Sequence, residues 1–166
     1  MHTVLVLMGV SGSGKTLIGK KLAKILNCEF IEGDDYHSYS NKEKMAKGDP
    51  LTDADRLDWL NELRDHLSQA SKRIVLSCSS LKKSYRKILS AHSNRTVFIH
   101  LHAYPEILEH RLNARKNHFF NPSLLLDQLN TLEALNEDET GFQINTDNSC
   151  ENIVAEIKSK LNDMNY

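Results

Sequence analysis

Thr3-Val-Leu-Val-Leu-Met8, followed without a break by Gly9-Val-Ser-Gly-Ser-Gly14-Lys15-Thr16, is the stretch that decides the fold. Its first half is a short apolar run from Val4 to Met8, the pattern of a strand buried on both faces. Its second half matches G-x-x-x-x-G-K-[ST] in full. A helix follows, because Leu17, Ile18, Leu22, Ile25 and Leu26 recur at helical spacing between Thr16 and Asn27, with Lys20, Lys21 and Lys24 opposite. Strand, glycine-rich turn and helix in that order form the context the motif needs. Small residues let successive backbone N–H groups converge on phosphate oxygens, and the helix N-terminus adds partial positive charge. Gly9, Val10, Ser11, Gly12, Ser13 and Gly14 are therefore the expected nucleotide cradle. Lys15 is expected to reach the β and γ phosphates of the nucleotide, and the Thr16 hydroxyl to ligate Mg²⁺.

Moving outward, Phe30-Ile31 reads as a second, weaker strand closed by Gly33. The polar stretch from Asp34 to Asp53 reads as a surface loop with a short helix around Lys42 to Ala46, and long polar loops are often functional. Thr52-Asp-Ala-Asp55 is an N-cap with acidic first-turn residues, opening a helix that runs to about Ala70. The alternation then repeats. Arg73–Ser77, Thr96–Leu101 and Gly141–Asn145 read as strands. Leu81–Ala91, Pro105–Arg115, Leu124–Leu135 and Glu151–Leu161 read as helices. Strands alternating with helices imply right-handed crossovers and a parallel sheet of about five strands, with ligands at the strands' carboxyl ends. The expected class is α/β with three layers, helices covering both faces of the sheet.

Composition narrows the partners. At 166 residues the chain has the size of one domain, 1–166, and it shows no repeat, linker or low-complexity segment. Twenty-one Lys and Arg against 22 Asp and Glu give a net charge of −1, so no overall positive field exists to hold a nucleic acid. No apolar run approaches the roughly 20 residues a bilayer requires, and the N-terminus has neither a basic n-region nor a cleavage site, so a cytoplasmic location is expected. Cys28, Cys78 and Cys150 are odd in number and far apart, and read as reduced thiols.

A phosphate loop leaves the phosphoryl acceptor open. Asp138-Glu-Thr-Gly141 fits the D-x-x-G of a GTPase but follows no apolar strand, and Asn41-Lys-Glu-Lys44 lacks the aspartate that guanine recognition needs. The strand Ile74–Ser77 runs into Cys78-Ser79-Ser80 rather than into the acidic residue of an ATPase motor. The carboxylate beside the metal must come from elsewhere. Asp34 and Asp35, just past the second strand, are the natural suppliers, able to take the proton of an acceptor hydroxyl or hold a Mg²⁺-bound water.

Several further elements carry a resemblance. Gly33-Asp-Asp-Tyr-His37, Asn41-x-x-Lys44-Met45, Gly48-x-Pro50-Leu51-x-Asp53-x-Asp55-Arg56-x-x-Trp59-Leu60, Cys78-Ser-Ser-Leu81-Lys82-x-x-Tyr85-Arg86 and Arg115-Lys-x-His118-Phe119 follow the phosphate loop in this order. Over nearly its whole length the chain resembles the gluconokinases of the shikimate-kinase-like P-loop group. Ser80 stands where that family more often has Ala. The resemblance implies ATP-dependent phosphorylation of the 6-hydroxyl of D-gluconate, with a substrate-binding segment at about 34–60, a lid at about 115–123, and often a homodimer. A kinase for another small sugar acid or polyol, such as a shikimate-like substrate, is the alternative, and a non-catalytic nucleotide-binding module is a third.

An open-chain sugar acid offers one carboxylate and many hydroxyls, so its site should combine a guanidinium with polar side chains. Arg56, which Asp53 and Asp55 mark as near a helix start on the substrate loop, is the expected carboxylate partner. Asp34 is the expected general base and metal-side carboxylate, Asp35 the alternative base, and His37 and Lys44 the expected substrate contacts. Lys82 and Arg86 lie one helical turn apart and either could touch substrate or the transferred phosphate. Arg111 and Arg115 share a face in the same way at the end of a helix, and such arginines in small P-loop kinases close over ATP and stabilise charge on the transferring group. Arg115 is the stronger of the two.

Overall fold

The structure, a computed structural model, describes residues 2–92, 94–114 and 122–166. Strands β1 (Thr3–Met8), β2 (Glu29–Glu32), β3 (Ile74–Ser77), β4 (Arg95–His102) and β5 (Gly141–Asn145) form one sheet in the order β2-β3-β1-β4-β5, every pair parallel. Helices α1 (Lys15–Leu26), α2 (Tyr39–Ala46), α3 (Asp53–Ser68), α4 (Lys83–Leu89), α5 (Pro105–Asn113), α6 (Pro122–Thr131) and α7 (Cys150–Asp163) surround it.

Strand β1 is central, and its side chains divide the core in two. Val4, Val6 and Met8 face Trp59, Leu60, Leu63 and Leu67 of α3 with Tyr85 and Leu89 of α4. Leu5 and Leu7 face Ile18 and Leu22 of α1 with Ile153, Val154 and Ile157 of α7. Alternation along one strand buried on both sides gives the three layers the sequence implies. A third cluster, Val10, Leu81, Leu108, Leu112 and Leu125, lies above the carboxyl edge and joins the phosphate loop to α5 and α6.

The expected elements are present, with two informative differences. The polar loop is more ordered than expected: Gly33–Tyr36 is a 3-10 turn, and α2 begins at Tyr39, capped by Ser38 accepting from Asn41 N–H. Helix α6 stops at Thr131 rather than Leu135. Beyond it Glu133 N–H donates to the Leu81 carbonyl, and the carbonyls of Glu133 and Ala134 accept from Arg86, so tertiary bonds take the groups a longer helix would have used. The GTPase-like Asp138 to Gly141 stretch leads into the first residue of β5; there Asp138 pairs with Lys83 and Glu139 with Arg86. Among the described residues no helix is long and apolar enough to cross a membrane.

Candidate active site

The loop after β1 leaves the sheet at Gly9, whose φ is +139° and where a Cβ would stand 2.4 Å from the Leu101 carbonyl oxygen. Only glycine fits this approach of loop to strand. Helix α1 starts behind Gly14 with no side-chain cap and no acidic residue in its first turn, so its positive end is open to a ligand's negative charge. Residues Ser11 to Thr16 line a cleft of about 630 Å³ at the carboxyl edge of the sheet. Lys15 Nζ donates to the Val10 carbonyl at 2.9 Å, lying back over the loop. Arg111 from α5 lines the same cleft and donates to both the side chain and the carbonyl of Thr146, just past β5.

Facing α1 across this cleft are the ends of β2 and β3. The Thr16 hydroxyl donates to Glu32 Oε2 at 2.7 Å, and Glu32, Asp34 and Ser77 all line the cleft. The Ser77 hydroxyl is buried and has no hydrogen-bond partner among the described residues. Two carboxylates and hydroxyls are hard oxygen donors of the kind Mg²⁺ takes. Glu32 is the residue the sequence reading missed. It is the last residue of β2, in register with Ser77 at the end of β3, and its one sequence signal is the apolar strand that precedes it.

Asp34 is held by the fold around it. Gly33 presses so close to β3 that a Cβ would meet the Ser77 carbonyl oxygen at 2.7 Å, which puts the 3-10 turn directly on the strand end. The buried Trp59 indole N–H donates to the Gly33 carbonyl at 2.7 Å, and His37 stacks on Trp59 with ring centroids 3.9 Å apart. Replacing Trp59 with Phe removes that donor from a buried carbonyl; the expected cost is about 1–2 kcal/mol in chemical denaturation, with a fall in turnover as the Asp34 turn loosens.

A second cleft, of about 370 Å³, opens beside the first. Asp34 and Ser11 line both. Arg56 of α3, Lys82 and Tyr85 line the second, and Asp53 accepts two bonds from Lys82 Nζ, at 2.7 and 2.9 Å, and one from the Tyr85 hydroxyl. Hydrogen bonds from Lys82 and Tyr85 hold Asp53 below the usual carboxylate range. The Arg56 guanidinium lies 5.8 Å from the Tyr85 ring centre and, among the described residues, has no carboxylate within ion-pair distance.

Other expected site residues lie elsewhere. Asp35 lines neither cleft. Lys44 pairs with Asp55 at 2.8 Å, fastening α2 to α3, and lines neither cleft. With this ion pair and the Thr52 capping bonds, the Asp55 carboxyl falls to about 2. His37 is buried, and burial, with the charges of Arg56 and Lys42 adding to it, lowers its pKa to about 4, so it is neutral at pH 7. Its Nε2 is 3.8 Å from Asp34 Oδ1, so it backs the Asp34 turn from inside the core.

Arg86 needs correction as a substrate residue. It is fully buried, its Nε and Nη2 bond Glu139, and its remaining donors take the carbonyls of Ser80, Leu81, Glu133 and Ala134. The helix begins only at Lys83, so Lys82 is its N-cap, aimed at the cleft, while Arg86 points into the protein. Arg115 and most of the expected lid lie outside the described residues.

Two clefts meeting at one carboxylate, one behind a phosphate loop, is the arrangement of a phosphotransferase, and the comparisons agree. Residues 11–162 match the family described as Shikimate kinase. A probable gluconokinase from Xenopus tropicalis is 42% identical, covering 95% of this chain and 93% of its own. The thermoresistant gluconokinase of Escherichia coli is 40% identical over 93% and 90%. This chain belongs to the gluconokinase family. The crystal structure of a gluconokinase from Sinorhizobium meliloti superposes with a TM-score of 0.90 at 37% identity, covering 98% of this chain and 93% of that one. Shikimate kinase from Aquifex aeolicus, at 17% identity and a TM-score of 0.59, shares the fold. Membership makes the chain a nucleotide-using kinase of small molecules.

Proposed function

We propose that this chain transfers the γ-phosphoryl group of ATP to the 6-hydroxyl of D-gluconate, giving 6-phospho-D-gluconate and ADP. The observation that carries the reading is the placement of Asp34 on both clefts, at the junction where donor and acceptor must meet.

The first cleft takes the nucleotide, its phosphates on the loop N–H groups not already bonded within the protein and on the N-terminus of α1, with Lys15 swinging from the Val10 carbonyl to the phosphates. Thr16, Glu32 and Asp34 are the residues that would hold Mg²⁺, directly or through water. Such an ion, when bound, neutralises charge on the β and γ phosphates.

In the second cleft Arg56 takes the gluconate carboxylate, and Lys82, oriented by Asp53, hydrogen-bonds the hydroxyl chain. Asp34 accepts the proton of the 6-hydroxyl as its oxygen bonds to the γ-phosphorus and the bond to the β-γ bridging oxygen breaks. Positioning and charge do the rest. Cys28, Cys78 and Cys150 are free thiols, which suits a cytoplasmic enzyme.

Release of ADP on addition of gluconate, shikimate, idonate or 2-keto-3-deoxygluconate tests the substrate. Turnover on gluconate well above the others is expected; turnover on another acid with none on gluconate overturns the reading. Arg56→Gln is expected to raise the KM for gluconate about 10–100-fold, the worth of a charge-assisted pair, while the KM for ATP stays put. An unchanged gluconate KM would remove Arg56 from the carboxylate site.

A further inference from the structure

A long-range contact of the nucleotide loop goes unused in the proposed reaction. The backbone N–H of Ser11 donates to Gln128 Oε1 at 2.7 Å, although the two residues are 117 positions apart. Gln128 belongs to α6 and lines the acceptor cleft, and Ser11 is one of the two residues common to both clefts.

The helix carrying this amide is firmly seated. Leu125 is buried in the cluster with Val10 and Leu81, and just past the helix Glu133 N–H donates to the Leu81 carbonyl while the Glu133 carboxylate accepts from Lys83 N–H. A primary amide accepts through oxygen and donates through nitrogen at the same time. Because a backbone N–H requires an acceptor, the Ser11 contact assigns Oε1 to the loop and leaves the NH₂ group to serve the cleft that Gln128 lines.

We propose that Gln128 is a specificity-determining residue of the acceptor site, holding the Ser11 end of the loop with its oxygen and donating its NH₂ to a hydroxyl oxygen of the sugar acid. The inference rests on the reading of the second cleft as the gluconate site. It gives the loop a direct bond to the residue that reads the acceptor.

Steady-state kinetics of Gln128→Met and Gln128→Glu, with D-gluconate and ATP varied in turn, test it. Methionine keeps the length of the side chain without its polar atoms; glutamate keeps an oxygen for Ser11 and loses the NH₂. Both variants are expected to raise the KM for gluconate about 10-fold. For Gln128→Glu, which keeps an acceptor for the Ser11 N–H, the KM for ATP should stay within about twofold and the melting temperature should be unchanged. A gluconate KM of wild-type size in Gln128→Glu overturns the proposal, because the Ser11 bond alone then explains the residue. In Gln128→Glu a rise confined to the KM for ATP, or one that tracks a lost melting temperature, overturns it as well. Wild-type protein inert toward gluconate would instead reject the substrate reading on which it rests.

Discussion

Asp34→Asn is expected to lower kcat about 10²–10⁴-fold, the usual contribution of a positioned general base, while nucleotide binding persists. The substitution keeps the shape of a side chain that is largely exposed, so the turn that carries it should survive. An amide has no basic oxygen able to take the proton of the 6-hydroxyl, so the interaction lost belongs to the transition state. On that account kcat and kcat/KM for gluconate fall together. A coupled ADP-release assay gives the rates, and titration with a fluorescent ATP analogue gives binding. Near-normal turnover would mean another group takes the proton, and Asp35 is poorly placed to do so because it lines neither cleft.

Arg86→Leu is expected to cost about 3–5 kcal/mol of stability, the usual penalty for stranding one member of a buried ion pair. In a chain of this size that corresponds to a melting temperature lower by about 6–20 °C. Glu139, only 9% exposed in its side chain, would keep a charge with no counterion, and the carbonyls of Ser80, Leu81, Glu133 and Ala134 would lose their donor. Adding Glu139→Leu should recover only part of the loss, since those carbonyls remain unserved. The pair also gives a pH signature. The bond from Arg86 lowers the Glu139 carboxyl from its usual 4.5 to about 2. A depressed carboxyl contributes its stability in full above about pH 4.5 and loses it as pH falls through about 2, so wild type and Arg86→Leu should converge in acid. Urea titrations at pH 7 and pH 3 check both statements. Loss of activity without loss of stability would return Arg86 to the substrate site.

The contrast between Lys82 and Arg86 shows where sequence reading stops. Spacing alone puts the two on one face of a helix, yet the helix begins after Lys82, and the longer side chain turns inward to meet carbonyls from segments about 50 positions away. Lys44 is a similar case. Its partner Asp55 is 11 positions away, a distance at which no local rule assigns pairs. Glu32 went unread because an acidic residue closing a weak strand carries no pattern of its own; it acquires meaning from Thr16, 16 positions away, whose hydroxyl donates to it where α1 packs beside the end of β2.

The sequence by itself determined the α/β alternation, the phosphate loop and the class of ligand it takes, and narrowed the expected acceptor-side carboxylate to Asp34 or Asp35. Those features depend on interactions within a few residues: the period of apolar side chains, glycine where a Cβ cannot fit, and N–H groups at a helix start. Only the tertiary structure decided which carboxylate stands beside Thr16, that Arg86 anchors the end of α6 instead of touching substrate, and that Gln128 reaches the loop. Each of these is a contact between segments distant along the chain, set by strand order and layer packing, and a hydrogen bond good to a few tenths of an ångström has no signature until those layers close.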